Sequence, residues 1–542
     1  MTADRTRSPA RGSGPSNADR PADDLGTDEM ADRPLPASLS LHAASGVLWT
    51  ITQKFGVRVT SLVTLVILAR QVGVEDFGVV AAAAVYLNSL YVIADLGFVS
   101  YIVQAERLDR RLLSTAVWFS AGAGTALAGL TMLAAPFLGQ ALGVPHFGPV
   151  LQGLAPAIVF TALAGTPMAL LRRRLAFRSL AVPQVVAALS AQVVAVVLAL
   201  TGAGVWALVA QYVINAVVTC LGVWLLAGWR PSLQFSPATA YTMARFGIRV
   251  IGGDLVGVLR GWIENVIIIS VVGVAGVGYR SIALRLISLV TDTAASTMVS
   301  VSSTIFAQIK NERRRLAGAY LRACGVTLTV GVPVLSLLVV VSPVLVPLLY
   351  GPRWEASVAQ AQVYALATVF VVHATLSRGL FLGIGRPGVW LLYGIAIDAL
   401  TAVGTAISAP YGLTAIAVTY LGVVMVAAVV RLVLIARTLG LPARVQAFQM
   451  ASQLGVAFGA AAPVWALVHW LDGRIPAILV LVIACLVMGT TVLVLFRFAD
   501  PMALREIWAP MPRGIRRLVP AWVRRLGTSG RRRSGGPAYW WT

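Results

Sequence analysis

From about residue 45 to residue 497 the chain is a near-continuous succession of apolar runs. Each approaches the roughly 20 residues that an α-helix needs to cross a bilayer. In lipid every backbone N–H and C=O must be satisfied within its own segment, so a run of this kind has one stable form, a helix. Fourteen segments qualify, at approximately 46–69, 77–101, 113–135, 150–171, 181–200, 204–227, 246–272, 277–305, 323–348, 358–382, 389–408, 412–436, 447–470 and 476–496. The expected fold class is therefore all-α, a polytopic membrane protein of about 14 transmembrane helices.

The positive charges between these segments alternate. Loops after the even-numbered segments carry Arg107, Arg110 and Arg111; Arg172, Arg173, Arg174 and Arg178; Arg230 and Arg245; Lys310, Arg313, Arg314, Arg315 and Arg322; Arg386; and Arg437 and Arg444. Loops after the odd-numbered segments carry only Arg70, Arg353 and Arg474. Cytoplasmic loops collect Lys and Arg, so the Arg-rich side and both termini are expected in the cytoplasm of a cell-membrane protein. One missed span would invert every later loop and destroy the alternation.

This pattern also explains the net charge of +22, since most of the 43 basic residues lie between or beyond apolar runs. Topology, and not nucleic acid, is the expected source of the charge. Only 12% of residues are charged, about half the 25% usual in soluble domains. Cys220, Cys324 and Cys485 lie far apart inside apolar runs, and the four histidines show no metal-ligand spacing. No phosphate-binding glycine loop of the P-loop kind is present, so ATP hydrolysis is not expected. No cofactor and no metal are implied. The polar first forty residues do not resemble a cleavable signal peptide. Residues 1–40 read as a disordered tail rich in Pro, Gly, Ser, Asp and Arg. The C-terminal stretch carries ten arginines over residues 497–542, interleaved with Trp508, Trp522, Trp540 and Trp541, a composition suited to anionic lipid headgroups.

Charged residues also fall inside the apolar segments, where each costs about 2.5–3.5 kcal/mol near the bilayer centre on insertion scales. Segment 1 holds Lys54 and Arg58, four apart on one helical face; segment 2 holds Asp95 near its cytoplasmic end. Segment 7 holds Arg249, Asp254, Arg260 and Glu264, and segment 8 holds Arg280, Arg285 and Asp292. Arg378, Asp398 and Arg431 are isolated. Arg260 and Glu264 are spaced to pair with each other at i,i+4. The concentration in segments 1, 2, 7 and 8, with basic groups in excess, suits a cavity for an anionic headgroup, because guanidinium forks match phosphate oxygens.

Segments 1 and 7 echo one another. Lys54-Phe55-Gly56-Val57-Arg58-Val59 parallels Arg245-Phe246-Gly247-Ile248-Arg249-Val250, and Val72-Gly73-Val74 with Gly78 parallels Val272-Gly273-Val274 with Gly278. The two matches differ in offset by nine residues and require an insertion between them.

Several short motifs then carry a family resemblance. The run Leu68-Ala69-Arg70-Gln71-Val72-Gly73-Val74-Glu75-Asp76-Phe77-Gly78 resembles the turn after the first span of bacterial polysaccharide transporters. So do Asp95-Leu96-Gly97-Phe98 with Gln104, Trp229 to Ser236, Arg245-Phe246-Gly247, Gly273 to Tyr279 with Ala283, Leu349-Tyr350-Gly351-Pro352-Arg353-Trp354, and Gly385-Arg386. Over about residues 40–500 the chain resembles the lipopolysaccharide/colanic-acid-type flippases of the multidrug/oligosaccharidyl-lipid/polysaccharide exporter superfamily. It departs from their pattern in span 8, where Asp292 and Ser302-Ser303-Thr304 stand near the places of expected prolines, and at Val74.

The resemblance implies an N-terminal six-helix bundle (41–227), a C-terminal six-helix bundle (228–440), two extra spans (441–497) and a cytoplasmic Arg/Trp-rich tail (498–542). It implies export of a polyprenyl-pyrophosphate-linked oligosaccharide or polysaccharide precursor by alternating access. The substrate-binding residues would be Lys54, Arg58, Arg249, Arg260 and Arg285, with Asp95, Asp254, Glu264 and Asp292 balancing charge or coupling protons. Partners would be the lipid-linked glycan, anionic membrane lipids, and a polysaccharide polymerase or glycosyltransferases. Two rival readings follow from the same residues. A drug or cation antiporter of the superfamily would usually have twelve spans and an acid-dominated cavity. An integral membrane glycosyltransferase would use acidic residues in the first outer loop, where Glu75-Asp76 sits, but the outer loops, of about fifteen residues or fewer, are too short for a catalytic face.

Overall fold

The computed structural model describes residues 56–58 and 60–499; within them, the side chains of 249–251, 253, 254, 289, 290, 292–305 and 497–499 are not described. The expected tail 1–40 and Lys54 lie outside these residues, as does the expected tail 498–542 apart from its first two residues. All regular secondary structure among the described residues is helical, with no strand. In chain order the helices are α1 (60–71), α2 (Val74–Asp95), α3 (Phe98–Gln104), α4 (Arg110–Ala141), α5 (Phe147–Arg173), α6 (Phe177–Leu200) and α7 (Val205–Ala227). There follow α8 (Pro237–Val271), α9 (Val274–Gln308), α10 (Arg313–Tyr350), α11 (Ala356–Gly383), α12 (Pro387–Ser408), α13 (Leu413–Leu439), α14 (Ala443–Leu471) and α15 (Ala477–Ala499). Eleven helices among the described residues are long and apolar enough to cross a membrane. Segments 46–69, 246–272 and 277–305 are not among the eleven. The first begins outside the described residues, and the other two, on α8 and α9, carry the charges discussed below.

The packing is that of a protein dissolved in lipid. On α6 the buried positions include Ala187, Ala191, Ala195 and Ala199, four apart, while Val186, Val193, Val197 and Leu200 face outward. Helix α4 likewise turns Gly124, Ala128, Ala135 and Gly139 inward and leaves Leu133 and Phe137 each 72% exposed. In water this arrangement would be unstable, because large apolar groups gain most from burial. In hydrocarbon it is favourable: lipid already solvates the large side chains, and small residues let helix backbones approach closely.

Helix ends obey local rules. Asp109 accepts from Leu112 N at 2.6 Å and starts α4. Ser236 accepts from Thr239 N, with Pro237 in the first turn of α8. Glu75 and Asp76 occupy the first turn of α2, where acidic groups oppose the helix dipole, although no side chain caps that end. The loop arginines do more than set topology. Arg173 donates to the carbonyls of Ile102, Ala105 and Glu106 at the end of α3, and Arg174 donates to Ala227 O at the end of α7. Both satisfy carbonyls that a helix C-terminus leaves without partners.

The expected single segment at 77–101 is broken. Leu96 (φ 42°) and Gly97 (φ 70°) are left-handed and separate α2 from α3. Two features impose the break. The Asp95 carboxylate accepts from Val99 N at 3.3 Å and so starts a new helix, and Gly247 of α8 presses on the Leu96-Gly97 backbone. A Cβ on Gly247 would collide with Leu96 O, so glycine is required there.

Two groups of neighbours emerge from the packing. Helix α5 packs on α2, α3, α4 and α7, and α6 packs on α7. Helices α9 and α10 pack on α11; α12 packs on α8 and α13; and α14 and α15 attach to α10. Contacts between the groups run mainly through α2 and α3 against α8 and α9. At one end of α2 these contacts are reciprocal. A Cβ on Gly78 would strike Val274 O, and a Cβ on Gly278 would strike Val74 O. The two copies of the Val-Gly-Val turn noticed in the sequence thus meet each other, each glycine lying over the other copy's backbone.

Helix α14 is joined to α10 by glutamines. Gln449 donates to Leu321 O at 3.0 Å, and Gln453 Oε1 accepts from Thr329 at 3.2 Å. Gln446, one turn earlier, is 3% exposed.

Candidate functional site

The charges of α8 and α9 sort into two places. The first is an ion cluster inside the second group of helices. Glu264, 2% exposed, pairs through one oxygen with Arg260 on its own helix and through the other with Arg280 of α9. Arg260 Nε also lies 2.9 Å from the Asp398 carboxylate of α12. The Arg280 guanidinium stands 5.7 Å from the Tyr364 ring of α11. Two guanidinium and two carboxylate groups therefore balance, joining α8, α9, α11 and α12 through one carboxylate at the centre. The i,i+4 pairing of Arg260 with Glu264, one of the readings the sequence allowed, is the one observed.

The second place lies between the groups. Arg285 of α9 reaches Tyr212 OH of α7 at 3.4 Å and sits over the Phe77 ring of α2 at 5.4 Å. It makes no ion pair among the described residues. The Tyr350 hydroxyl, buried and without a hydrogen-bond partner among the described residues, is within electrostatic reach of the same guanidinium. Of the three inner arginines 260, 280 and 285, Arg285 alone has no carboxylate partner among the described residues, and it alone reaches a helix of the other group through a hydrogen bond. Arg431 of α13 is a contrasting case. It is 2% exposed and also lacks a carboxylate among the described residues, but His373 Nδ1, Tyr393 OH and Phe370 O accept its protons at 3.2, 3.3 and 2.8 Å inside the second group.

The remaining expected site residues are distributed as follows. Asp95 accepts from Val99 N in the first turn of α3 and so serves the helix break. Arg58 is half-buried on the helical residues 56–58 ahead of α1. Arg249, Asp254 and Asp292 lie on α8, α8 and α9, with side chains outside the described set, and Lys54 lies outside the described residues. Arg280, Asp398 and Tyr212 were not expected at the site. The first two had a signal in the sequence, a charge inside an apolar segment, but their partners, Glu264 for Arg280 and Arg260 for Asp398, are visible only in three dimensions. No group of three or more His, Cys, Asp or Glu able to hold a metal occurs among the described residues. A cavity of about 460 Å³ lined by Tyr101, Gln104, Glu106, Arg107 and Phe246 opens where α3 meets α8, away from Arg285 and the ion cluster.

Helices of this length that turn small residues inward and large apolar ones outward define a multi-pass, all-helical membrane fold. Solved structures agree on this point. The chain is similar to a structure described as the lipid II flippase MurJ in an inward closed conformation, with TM-score 0.69 at 13% identity, covering 83% of this chain and 98% of that one. It is also similar to an inward-facing multidrug resistance MATE family transporter of the MOP superfamily, with TM-score 0.59 at 18% identity, covering 70% of this chain and 94% of that one. Residues 67–359 match the family model described as polysaccharide biosynthesis protein, and the chain belongs to that family. Among its relatives, the succinoglycan biosynthesis transport protein ExoT of Rhizobium meliloti (strain 1021) is 26% identical over 365 residues, covering 67% of this chain and 73% of the relative. The lipopolysaccharide biosynthesis protein WzxC of Escherichia coli (strain K12) is 23% identical over 356 residues, covering 65% and 69%.

Proposed function

We propose that the chain is a flippase that carries a polyprenyl-pyrophosphate-linked oligosaccharide or polysaccharide precursor across the cytoplasmic membrane by alternating access. The observation that carries the reading is Arg285: a guanidinium with no carboxylate partner among the described residues, between the two groups of helices, within electrostatic reach of the Tyr350 hydroxyl, which has no hydrogen-bond partner among those residues. A phosphate would complete both, since arginine recognises phosphate oxygens bidentately and a hydroxyl donates to them. The family membership and the transport name printed for the Rhizobium meliloti relative support the same direction. Under this reading the groups 41–227 and 228–440 rock against each other, residues 441–497 accompany the second, and the Arg-rich loops and both termini face the cytoplasm. Lys54, Arg58 and Arg249 are assigned to binding the same anionic group. Arg260 contributes less directly, because two carboxylates already hold it, and Glu264 acts with Asp398 as its charge balance. Asp95, Asp254 and Asp292 remain the other acidic groups assigned to balance or coupling. The C-terminal arginines rest on anionic lipid, and a polymerase or glycosyltransferases work on either side of the transport step.

Arg285→Ala is expected to lower export at least tenfold, about the value of one charge-assisted hydrogen bond, without loss of the protein from the membrane. Arg285→Lys should recover only part of it, because an ammonium lacks the planar fork. The measurement is surface glycan and accumulated lipid-linked intermediate in a deletion strain carrying each variant. Full export by Arg285→Ala removes the assignment. The cation-antiporter reading would require an acid surplus, whereas the described cluster is balanced and Arg285, without a carboxylate among the described residues, is basic.

A further inference from the structure

Two motifs that carried the family resemblance, Leu68 to Gly78 and Leu349 to Trp354, lie some 280 residues apart, and the fold brings them together. Both contain an arginine on the side of the membrane where arginine is scarce, and each arginine serves the opposite segment. Arg70, at the end of α1, donates from Nε to Leu349 O at 3.0 Å and from Nη2 to Leu348 O at 2.6 Å. Those carbonyls close the last turn of α10, where four acceptors lack intrahelical partners and the dipole is negative. In return, Arg353 donates to Arg70 O, and the Trp354 indole N–H donates to Ala69 O at 2.8 Å. The ends of α1 and α10 thus cap one another.

The indole between them is fully buried. Its faces and edges meet Phe77 of α2 at 5.4 Å and Tyr279 of α9 at 6.0 Å. The reciprocal Gly78–Val274 and Gly278–Val74 crossing involves the same two helix starts. The junction therefore has a dry centre made by Trp354 and an outer ring of hydrogen bonds made by Arg70 and Arg353, both exposed to solvent. Such a ring is separable. Water can replace each of these bonds when it breaks, so the ring itself adds little to the cost of opening.

We propose that these two turns form a latch over the extracytoplasmic exit of the transporter, closed in this structure and required to open before cargo leaves. The side assigned to the latch rests on the orientation proposed above. The test is labelling with a membrane-impermeant maleimide. Ala82→Cys places one thiol on α2, a turn inward of Gly78, at a position 1% exposed here. The background chain has Cys220, Cys324 and Cys485 replaced by alanine. The parent thiol should be protected from both sides. Adding Arg70→Gln or Arg353→Gln, surface changes that leave the core intact, should speed labelling from outside about tenfold, the effect of one or two lost charge-assisted bonds. Trp354→Phe, which keeps an aromatic plug but loses the N–H to Ala69, should act in the same direction. Acceleration only from the cytoplasmic side keeps the latch and overturns the orientation. Unchanged labelling from both sides, with protein at parental levels in the membrane, overturns the latch. Hydrogen exchange gives a second measure needing no added thiol: amides of 68–80 and 348–356 should exchange faster together in Arg70→Gln, and unchanged exchange counts against the latch. No cargo enters either measurement, so the cargo assignment can fail independently.

Discussion

Gly78→Ala abolishes export while the protein still reaches the membrane: this is the expected result of adding a single methyl group where α2 crosses α9. The methyl would enter the space of Val274 O, and the obstacle is backbone, which cannot rotate aside as a side chain can. Overpacking of this kind costs about 1–3 kcal/mol, a tenfold to hundredfold shift against the closed junction. Gly278→Ala should behave alike, because its methyl would meet Val74 O in the mirror arrangement. Gly122→Ala is the control. Nothing lies within 4 Å of that position, so the change should be neutral or slightly stabilising through helix propensity. Glycan export measured beside membrane abundance separates these outcomes. Normal export by both Gly78→Ala and Gly278→Ala would mean that the crossing does not close during transport.

The largest loss of stability is expected from Glu264→Gln. Both carboxylate oxygens are engaged, one by Arg260 and one by Arg280, and the side chain is almost wholly buried. An amide offers one acceptor in place of two and removes the negative charge, leaving a surplus guanidinium in a low-dielectric interior. Breaking a buried pair in this way costs about 3–5 kcal/mol. Asp398→Asn should cost clearly less, because Asp398 and Arg260 are each about a quarter exposed and Arg260 keeps Glu264. The double change Glu264→Gln with Arg280→Gln should recover part of the loss, since it removes the uncompensated charge. Thermal unfolding of the purified variants in detergent reads all three. Equal melting of Glu264→Gln and the parent would show that the cluster does not bear on stability.

Much of this architecture is legible in the chain because the bilayer permits so few backbone solutions. A run such as 181–200 can only be a helix, and the arginines between runs report the alternation of sides. What escaped were events that depend on two distant segments. The break at Leu96-Gly97 was foreshadowed by an aspartate and a glycine, yet its cause includes Gly247, 150 residues on. Asp398 looked isolated because its partner sits on α8, and the apparent excess of positive charge shrinks once Arg260 and Arg280 are seen around Glu264 and Asp398. Arg285, by contrast, kept the exposed chemical character expected of it, since no acidic residue approaches it among the described residues. The two Val-Gly-Val turns were legible as an echo, but an echo does not say that its copies touch.

The glutamines between α14 and α10 have a mechanical consequence. Apolar helices slide past one another easily in hydrocarbon, where no solvent penalty resists the motion, whereas an amide that leaves its acceptor there finds no replacement. Gln449 on Leu321 and Gln453 on Thr329 therefore act as rivets at two heights along α10. When α10 tilts, the final two helices are dragged with it as a passenger, and a movement at Leu348 is felt at the far end of the chain.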